Sequence, residues 1–378
     1  MNPDYREAFA LDEEVTYLNC ANMAPLLKAA KEAAIEGLER RAAPWKMGVP
    51  EWFDNTEILR GSVAKVFGVS HHDIALIPSA SYGLAVAGKN LSIPKDKDIL
   101  VLADQYPSNY YVWHSLALRQ GLNIVTVKRQ EGKSLTECVL NTINKNTGLV
   151  AIPNCHWIDG ALVDLLQVSK AAKSVGAFLV LDLSQSLGAL PFSIQDVDPD
   201  FVISVGYKWL LGPYGMGYLY AAPRFHDNGD PLEYSWFPRK GSEDFTKLTQ
   251  YTPEFKPGAQ RFDVGETAQF HLVPIATAGV NQLLKWGVQT VQQHSKALTD
   301  RIANYLQSRN LLEFQLPRAG HIIGVPLDKL DASKVKEQLT KRKISESFRG
   351  TSIRVSPHLY NTEQEVDSFL ECLDAGVV

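Results

Sequence analysis

Between residues 73 and 222 short apolar runs alternate with amphipathic helical stretches, and few folds accept that order. The runs DIALIP (73–78), DILVLAD (98–104), NIVTVK (123–128), TGLVAIPN (147–154), AFLVLDLS (177–184), DFVISVG (200–206) and MGYLYAA (216–222) read as strands. Several are apolar at consecutive positions, as strands are when helices cover both faces. Helical segments such as LLQVSKAAKSVG (165–176), closed by a glycine, fit between them. This order predicts an α/β fold, with a mainly parallel seven-stranded sheet sandwiched by helices in a large domain.

The end of the chain has a different rhythm. Residues 270–310 read as one or two long helices. GHIIGVPL and TSIRVSPHLY then read as strands, with helical DASKVKEQLTKR and NTEQEVDSFLECLDAG beside them. The last opens on an Asn-Thr cap followed by acids, a well-formed helix start. A smaller α+β domain over residues 281–378 is expected, after an N-terminal segment and large domain over residues 1–280. Residues 229–258, rich in charge and aromatics, read as a surface excursion. At 378 residues, 45% of them hydrophobic, the chain is long enough for more than one core. Its net charge of −4 and scattered Lys and Arg give no nucleic-acid footprint. No apolar run approaches the length of a membrane span, and the acidic N-terminus lacks the apolar centre of a signal peptide. Cys20, Cys138, Cys155 and Cys372 form no C-x-x-C pair, so reduced thiols in a cytoplasmic protein are expected, and no metal site is assigned.

Ligands of open α/β sheets sit beyond the carboxyl ends of the strands, and three such ends carry chemistry here. The stretch SVGYKWLLGPYGMGYLY (204–220) places Lys208 among aromatic, aliphatic and glycine residues. Either its ammonium snorkels to water or its amine is a nucleophile. LVLDLSQSLGALP ends a strand in Asp182, either a desolvated carboxylate that needs a cation or a loop carboxylate capping the next helix. IALIPSASYGLA enters a helix through Ala80 and Ser81, where free N–H groups can hold a phosphate or simply form an N-cap. Together they meet the needs of pyridoxal 5′-phosphate: a phosphate anchor, an acid for the ring nitrogen and an amine for the aldehyde.

With LDLSQSLGALP followed by YKWLLGPYGMGYLY, the chain resembles the class V aminotransferase group of fold-type I pyridoxal-phosphate enzymes. That group includes cysteine desulfurases, C–S lyases, kynureninases and isopenicillin N epimerase-like proteins. The resemblance runs from TYLNCANMAPL (16–26) to SIRVSPHLYNTEQEVDSFL (352–370). It implies Lys208 as the Schiff-base lysine, Asp182 as partner of the ring nitrogen, and Gln185 as contact to the phenolic oxygen. Ala80, Ser81, Ser184 and Tyr207 are implied in cofactor binding, and Tyr106 as the ring stacked on the pyridine. His156 or Asp159 stands in for an Asn that relatives carry where this chain has Ile158. Arg354 and Asn22 are implied in substrate binding, Arg354 as the clamp on the α-carboxylate. RFDVGETAQF implies a homodimer with shared active sites, Thr267 or Glu266 reaching the neighbouring subunit's phosphate.

The substrate implied is an α-amino acid, and its side-chain pocket is expected from residues 43–53, 235–245 and 315–324, with Trp45, Trp52 and Trp236 as candidates. No Cys lies between Cys155 and Cys372, whereas desulfurases use a mobile-loop Cys. A C–S lyase performing β-elimination is therefore expected ahead of an aminotransferase, a kynureninase-like or an epimerase-like activity. A non-catalytic scaffold of the same fold is the alternative from another class.

Overall fold

Every one of the seven expected strands forms, and they join in one sheet. The computed structural model describes residues 5–312 and 317–377. The chain opens with β1 (Thr16–Tyr17), α1 (Lys28–Ala42) and α2 (Val49–Phe67). The alternating stretch follows as β2 (Ile74–Ile77), α3 (Ala80–Asn90), β3 (Asp98–Leu102), α4 (Ser108–Gln120), β4 (Asn123–Val127), α5 (Leu135–Thr142) and β5 (Thr147–Ile152). It continues through α6 (Leu165–Ser174), β6 (Phe178–Asp182), α7 (Ile194–Val197), β7 (Phe201–Val205) and β8 (Gly217–Ala221).

Strand order is β2-β8-β7-β6-β5-β3-β4. Only β8 runs antiparallel to its neighbours, because residues 206–216 turn it back beside β7 without a crossover helix. β5, β7 and β8 are buried along their whole length, which explains their unbroken apolar runs. β4, at the sheet edge, keeps exposed residues. Gly83 lets α3 lie close on the sheet, since a Cβ there would stand 2.7 Å from Ile77 Cδ1 and 3.0 Å from Ile203 Cγ1.

The long helical stretch divides into α8 (Leu272–Trp286) and α9 (Val288–Ser308), which meet at Gly287 with φ +82°. Residue 280 thus falls inside α8, a helix that packs on α1 and α2. After α9 come β9 (Ile323–Pro326), α10 (Ala332–Lys341), β10 (Ile344–Ser345), β11 (Ser347–Arg349), β12 (Ser352–Val355) and α11 (Glu363–Asp374). Thr362 caps α11 through the Glu365 N–H, as the Asn-Thr signal predicts. β11, β12 and β9 form an antiparallel sheet whose core takes residues from α9, α10 and α11.

The N-terminal segment is built into this second unit. β1 pairs in parallel with β10, and the Cys20 N–H donates to Ser356 O. Leu18 is fully buried in the C-terminal core. A few residues on, the Ala24 N–H donates to Tyr207 O, next to Lys208. Residues 16–24 therefore run from the small sheet to the loop that carries the lysine.

Two histidines lie fully buried nearby. His321 Nε2 donates to the Gln185 carbonyl at 2.6 Å, and His358 stacks on Trp209 and Tyr360 with both ring nitrogens lacking partners. Burial pushes His321 down to about 4 and His358 down to about 3. Below pH 6.5 the unfolded chain takes up protons that these rings refuse, so stability falls as pH drops from 6.5 toward 4 and 3. At pH 5 each costs about 2 kcal/mol relative to pH 7. Urea midpoints at the two pH values are expected to differ less in His358→Phe than in the parent.

Candidate active site

Three strand ends converge on a cavity of about 180 Å³, several times the ~30 Å³ share of a single water and enough for a small organic ligand. Ser79, Ala80 and Ser81 after β2, Asp182, Ser184 and Gln185 at the end of β6, and Val205, Tyr207 and Lys208 at the end of β7 all line it. Tyr106, Cys155, Trp157, Tyr214 and Gly215 complete much of the wall. The sheet topology explains the meeting, because β2, β6 and β7 all point their carboxyl ends the same way.

Lys208 is 5% exposed and, among the described residues, makes no ion pair. Its Nζ lies 5.3 Å from the Tyr106 ring centroid and 5.6 Å from that of Tyr207. Burial lowers its pKa to about 8; Asp182 opposes the shift while Arg354 and Arg349 add to it. Such an amine is partly neutral near physiological pH, which a solvated lysine is not. Snorkelling is excluded by this burial.

Asp182 is buried, and its Oδ1 accepts the Ser184 N–H at 3.0 Å. Ser184 Oγ in turn accepts the Val205 N–H at 3.3 Å, tying the ends of β6 and β7 together. Gln185 donates from Nε2 to Ala21 O at 3.0 Å and accepts Trp209 Nε1 at 3.3 Å. Ser79 is the N-cap of α3, accepting the Tyr82 N–H, and its Oγ is 2.9 Å from Ser81 Oγ. The amides of Ala80 and Ser81 precede the first intrahelical bond and remain available to an anion. Tyr207, half-buried and pushed up to about 12 chiefly by burial, stands beside Tyr214 with ring centroids 4.8 Å apart. Tyr106 meets Trp157 edge-on at 5.6 Å.

Arg354 is 2% exposed on β12. Nη1 donates to Trp157 O at 3.0 Å, Nη2 lies 3.5 Å from Asn19 Oδ1, and Nε has no partner. No carboxylate pairs with it among the described residues. Burial and then the charge of Arg349 lower its pKa to about 10.

Other expected residues stand elsewhere. His156 is buried but does not line the cavity; its Nδ1 meets Asp159 Oδ1 at 3.2 Å. Burial alone would raise Asp159, yet His156 and Arg129 hold it well below the usual carboxylate range; His156 Nε2, the other ring nitrogen, is buried without a partner. Thr267 is 1% exposed and its Oγ1 donates to Val264 O at 2.6 Å, so its hydroxyl is engaged within its own chain; Glu266 is the exposed neighbour. Asn22 is exposed and accepts from Arg349 Nη2 at 3.3 Å. Of the two residues that end β7, Ser204 is buried away from the cavity and Val205 lines it. Trp52 and Trp236 belong to an aromatic cluster with Phe53, Phe237, Phe245 and Phe270, on a separate groove with Glu266. Trp45 is 78% exposed, and residues 315 and 316 of the third expected pocket segment lie outside the described residues. Trp157, Asn19 and Arg349 were not anticipated.

The donor set fits pyridoxal 5′-phosphate: amides and hydroxyls at a helix start for the phosphate, a buried carboxylate for a ring nitrogen, and a buried uncompensated amine for an aldehyde. The Tyr106 ring supplies an aromatic face beside that amine.

Comparisons agree with the geometry. The profile of the family described as Aminotransferase class-V matches residues 50–369, and the chain belongs to this family. An uncharacterized aminotransferase of Bacillus subtilis is 25% identical over 99% of this chain and 98% of that protein. A kynureninase of Geobacillus thermodenitrificans is 24% identical over 96% of this chain and 88% of that protein. Among solved structures, a lysine-to-alanine variant of the cystine C–S lyase C-DES, with glycine covalently linked to its PLP cofactor, superposes with a TM-score of 0.83. That match has 18% sequence identity and covers 98% of this chain and 99% of that one.

Proposed function

We propose that this aminotransferase class-V enzyme uses pyridoxal 5′-phosphate to break bonds at Cα of an α-amino acid, by β-elimination from a cysteine-type substrate. The observation that carries the reading is a buried amine, Lys208, and a buried guanidinium, Arg354, neither with a carboxylate partner. Lys208 would hold the cofactor's aldehyde, Asp182 its ring nitrogen, Ala80 and Ser81 its phosphate, and Tyr106 the face of its ring. Ser184, Gln185 and Tyr207 would complete the cradle. When bound, the cofactor supplies a ring that takes up the electron pair left at Cα.

The remaining work falls to the chain. Arg354 binds the α-carboxylate, as a desolvated fork does best. Lys208, tuned to about 8, takes the Cα proton and can return it. Trp157 and Tyr106 wall the cavity against water. With loss of the Cα proton and the Cβ–S bond, and uptake of one water, the products are pyruvate, ammonium and a sulfur compound.

Elimination without a persulfide relay is supported by the cysteines. A relay needs a thiolate, whereas burial, followed by the charge of Asp159, drives the Cys155 thiol well above its usual range. Cys20 is likewise buried and held protonated. A second reading, kynureninase-like hydrolysis, is supported by the 24%-identical relative. Incubating holoenzyme with L-cysteine, cystine and kynurenine separates them: pyruvate from the first two is expected, and cleavage of kynurenine alone would replace elimination by hydrolysis.

Arg354→Gln is expected to raise the substrate KM roughly 10- to 100-fold, the effect of losing a charge-assisted bond. Cofactor affinity should change far less; an unaltered KM would remove Arg354 from the site. We also assign the enzyme to the cytoplasm, on its four unpaired buried cysteines, and to a homodimer with shared sites. The apolar groove of Leu38, Met47, Trp52, Trp236 and Phe270 beside Glu266 supports that assembly, and light scattering tests it. Among the described residues no helix is long and apolar enough to cross a membrane.

A further inference from the structure

Behind Trp157, one wall of the cavity, stand two guanidiniums without a carboxylate partner among the described residues, Arg354 and Arg349. Arg349, at the end of β11, lies one hairpin away from Arg354, with Arg349 opposite Ser352 and Ser347 opposite Arg354. Its guanidinium lies 5.9 Å from the ring of Trp157, a wall of the cavity. Its contacts are neutral: Nη1 to Phe348 O at 3.1 Å, Nη2 to Asn22 Oδ1 at 3.3 Å, and a buried Nε with none. Among the described residues it has no ion pair, and its charge bears on both Lys208 and Arg354. Two guanidiniums side by side repel, and partial burial without a counter-ion is costly.

With the cofactor in place, its phosphate would sit at the start of α3, Asp182 would face the ring nitrogen and the Lys208 amine would be engaged, which leaves Arg354 and Arg349 as the two cations around Trp157. The α-carboxylate matches the first. Nothing in the chain matches the second.

Resting on the amino-acid reading above, we propose that the substrate carries a second anion, a carboxylate or sulfur oxyanion at the end of its side chain, and that Arg349 selects it. A cysteine conjugate with an acidic S-substituent has this form. Trp157, between the two arginines, would pack along the stem that joins the two anions.

Two measurements test this on the holoenzyme. The first is calorimetric binding of succinate against butyrate, which share a four-carbon chain and have no amine to react. Succinate is expected to bind at least about 10-fold more tightly, as one added charge-assisted contact provides. Arg349→Gln should erase that preference and keep butyrate binding, while Arg354→Gln weakens both. The second is the ratio of kcat/KM for S-carboxymethyl-L-cysteine over S-ethyl-L-cysteine, read as pyruvate. It is expected to exceed about 10 in the parent and to fall near 1 in Arg349→Gln.

Equal binding of the two acids, or ratios unmoved by Arg349→Gln while S-ethyl-L-cysteine is still consumed, would overturn the inference and leave the elimination reading intact. An Arg349-dependent succinate preference with no pyruvate from either cysteine derivative would support the anion site and overturn elimination instead.

Discussion

Lys208→Ala is expected to lower turnover by about 10²- to 10⁴-fold or more, the range for removing a positioned acid–base group. The same substitution removes the cofactor's covalent tether, so losses at the upper end are anticipated. Borohydride treatment followed by peptide mapping should place a pyridoxyl group on Lys208 in the parent and nowhere in the variant. The fold should survive, because the deleted amine is buried without an ion pair and stabilises nothing it touches. An unchanged urea midpoint beside a collapsed kcat is the signature of chemistry rather than scaffolding. Turnover at the parental rate would remove Lys208 from the mechanism.

The largest stability effect is expected far from that amine, at Arg60 and Asp263. Both are almost fully buried, and they meet through Nη1–Oδ1 at 3.0 Å and Nη2–Oδ2 at 2.7 Å. Asp263 Oδ1 also accepts the Leu76 N–H at 2.7 Å, and Arg60 Nη1 donates to Ile74 O at 2.8 Å. The pair thus staples α2 and residues 263–264 to β2, the strand that ends at the phosphate cradle. Asp263→Ala leaves Arg60 with only half-exposed Glu57 as counter-ion and the buried Leu76 amide without an acceptor, and should cost about 3 kcal/mol. Replacing both partners by Met and Leu should recover part of this, but not the Leu76 amide. Denaturant unfolding of the two variants checks it, and a loss below about 1 kcal/mol would show the pair to be hydrated or dispensable.

What was legible in the sequence follows from how locally it is encoded. The seven strands could be read because burial on both faces leaves unbroken apolar runs, as in TGLVAI of β5. Asp182, Lys208, Ala80 and Ser81 could be read because each stands at or within a few residues of a strand end, so strand direction alone brings them together. Arg349 could not, since its nearness to Trp157 depends on a hairpin and on the packing of one unit against the other. His156 and Thr267 stood at matching positions, yet His156 Nδ1 is taken by Asp159 and the Thr267 hydroxyl by Val264 within a few residues, while His156 Nε2 stays buried without a partner. Proximity in a motif does not fix which way a side chain turns. The long segment over 270–310 left its division open, and Gly287 with a positive φ decides it.

The pairing of Thr16 with Ile344 has a bearing on biosynthesis. During translation the first strand has no mate until residues 344–345 have left the ribosome, and closing so wide a loop is entropically slow. The same strap reaches Gln185 through Ala21 and the lysine loop through Ala24. A nascent chain that stops short of residue 344 leaves this strap without its partner strand, on the segment that also holds Gln185 and the lysine loop.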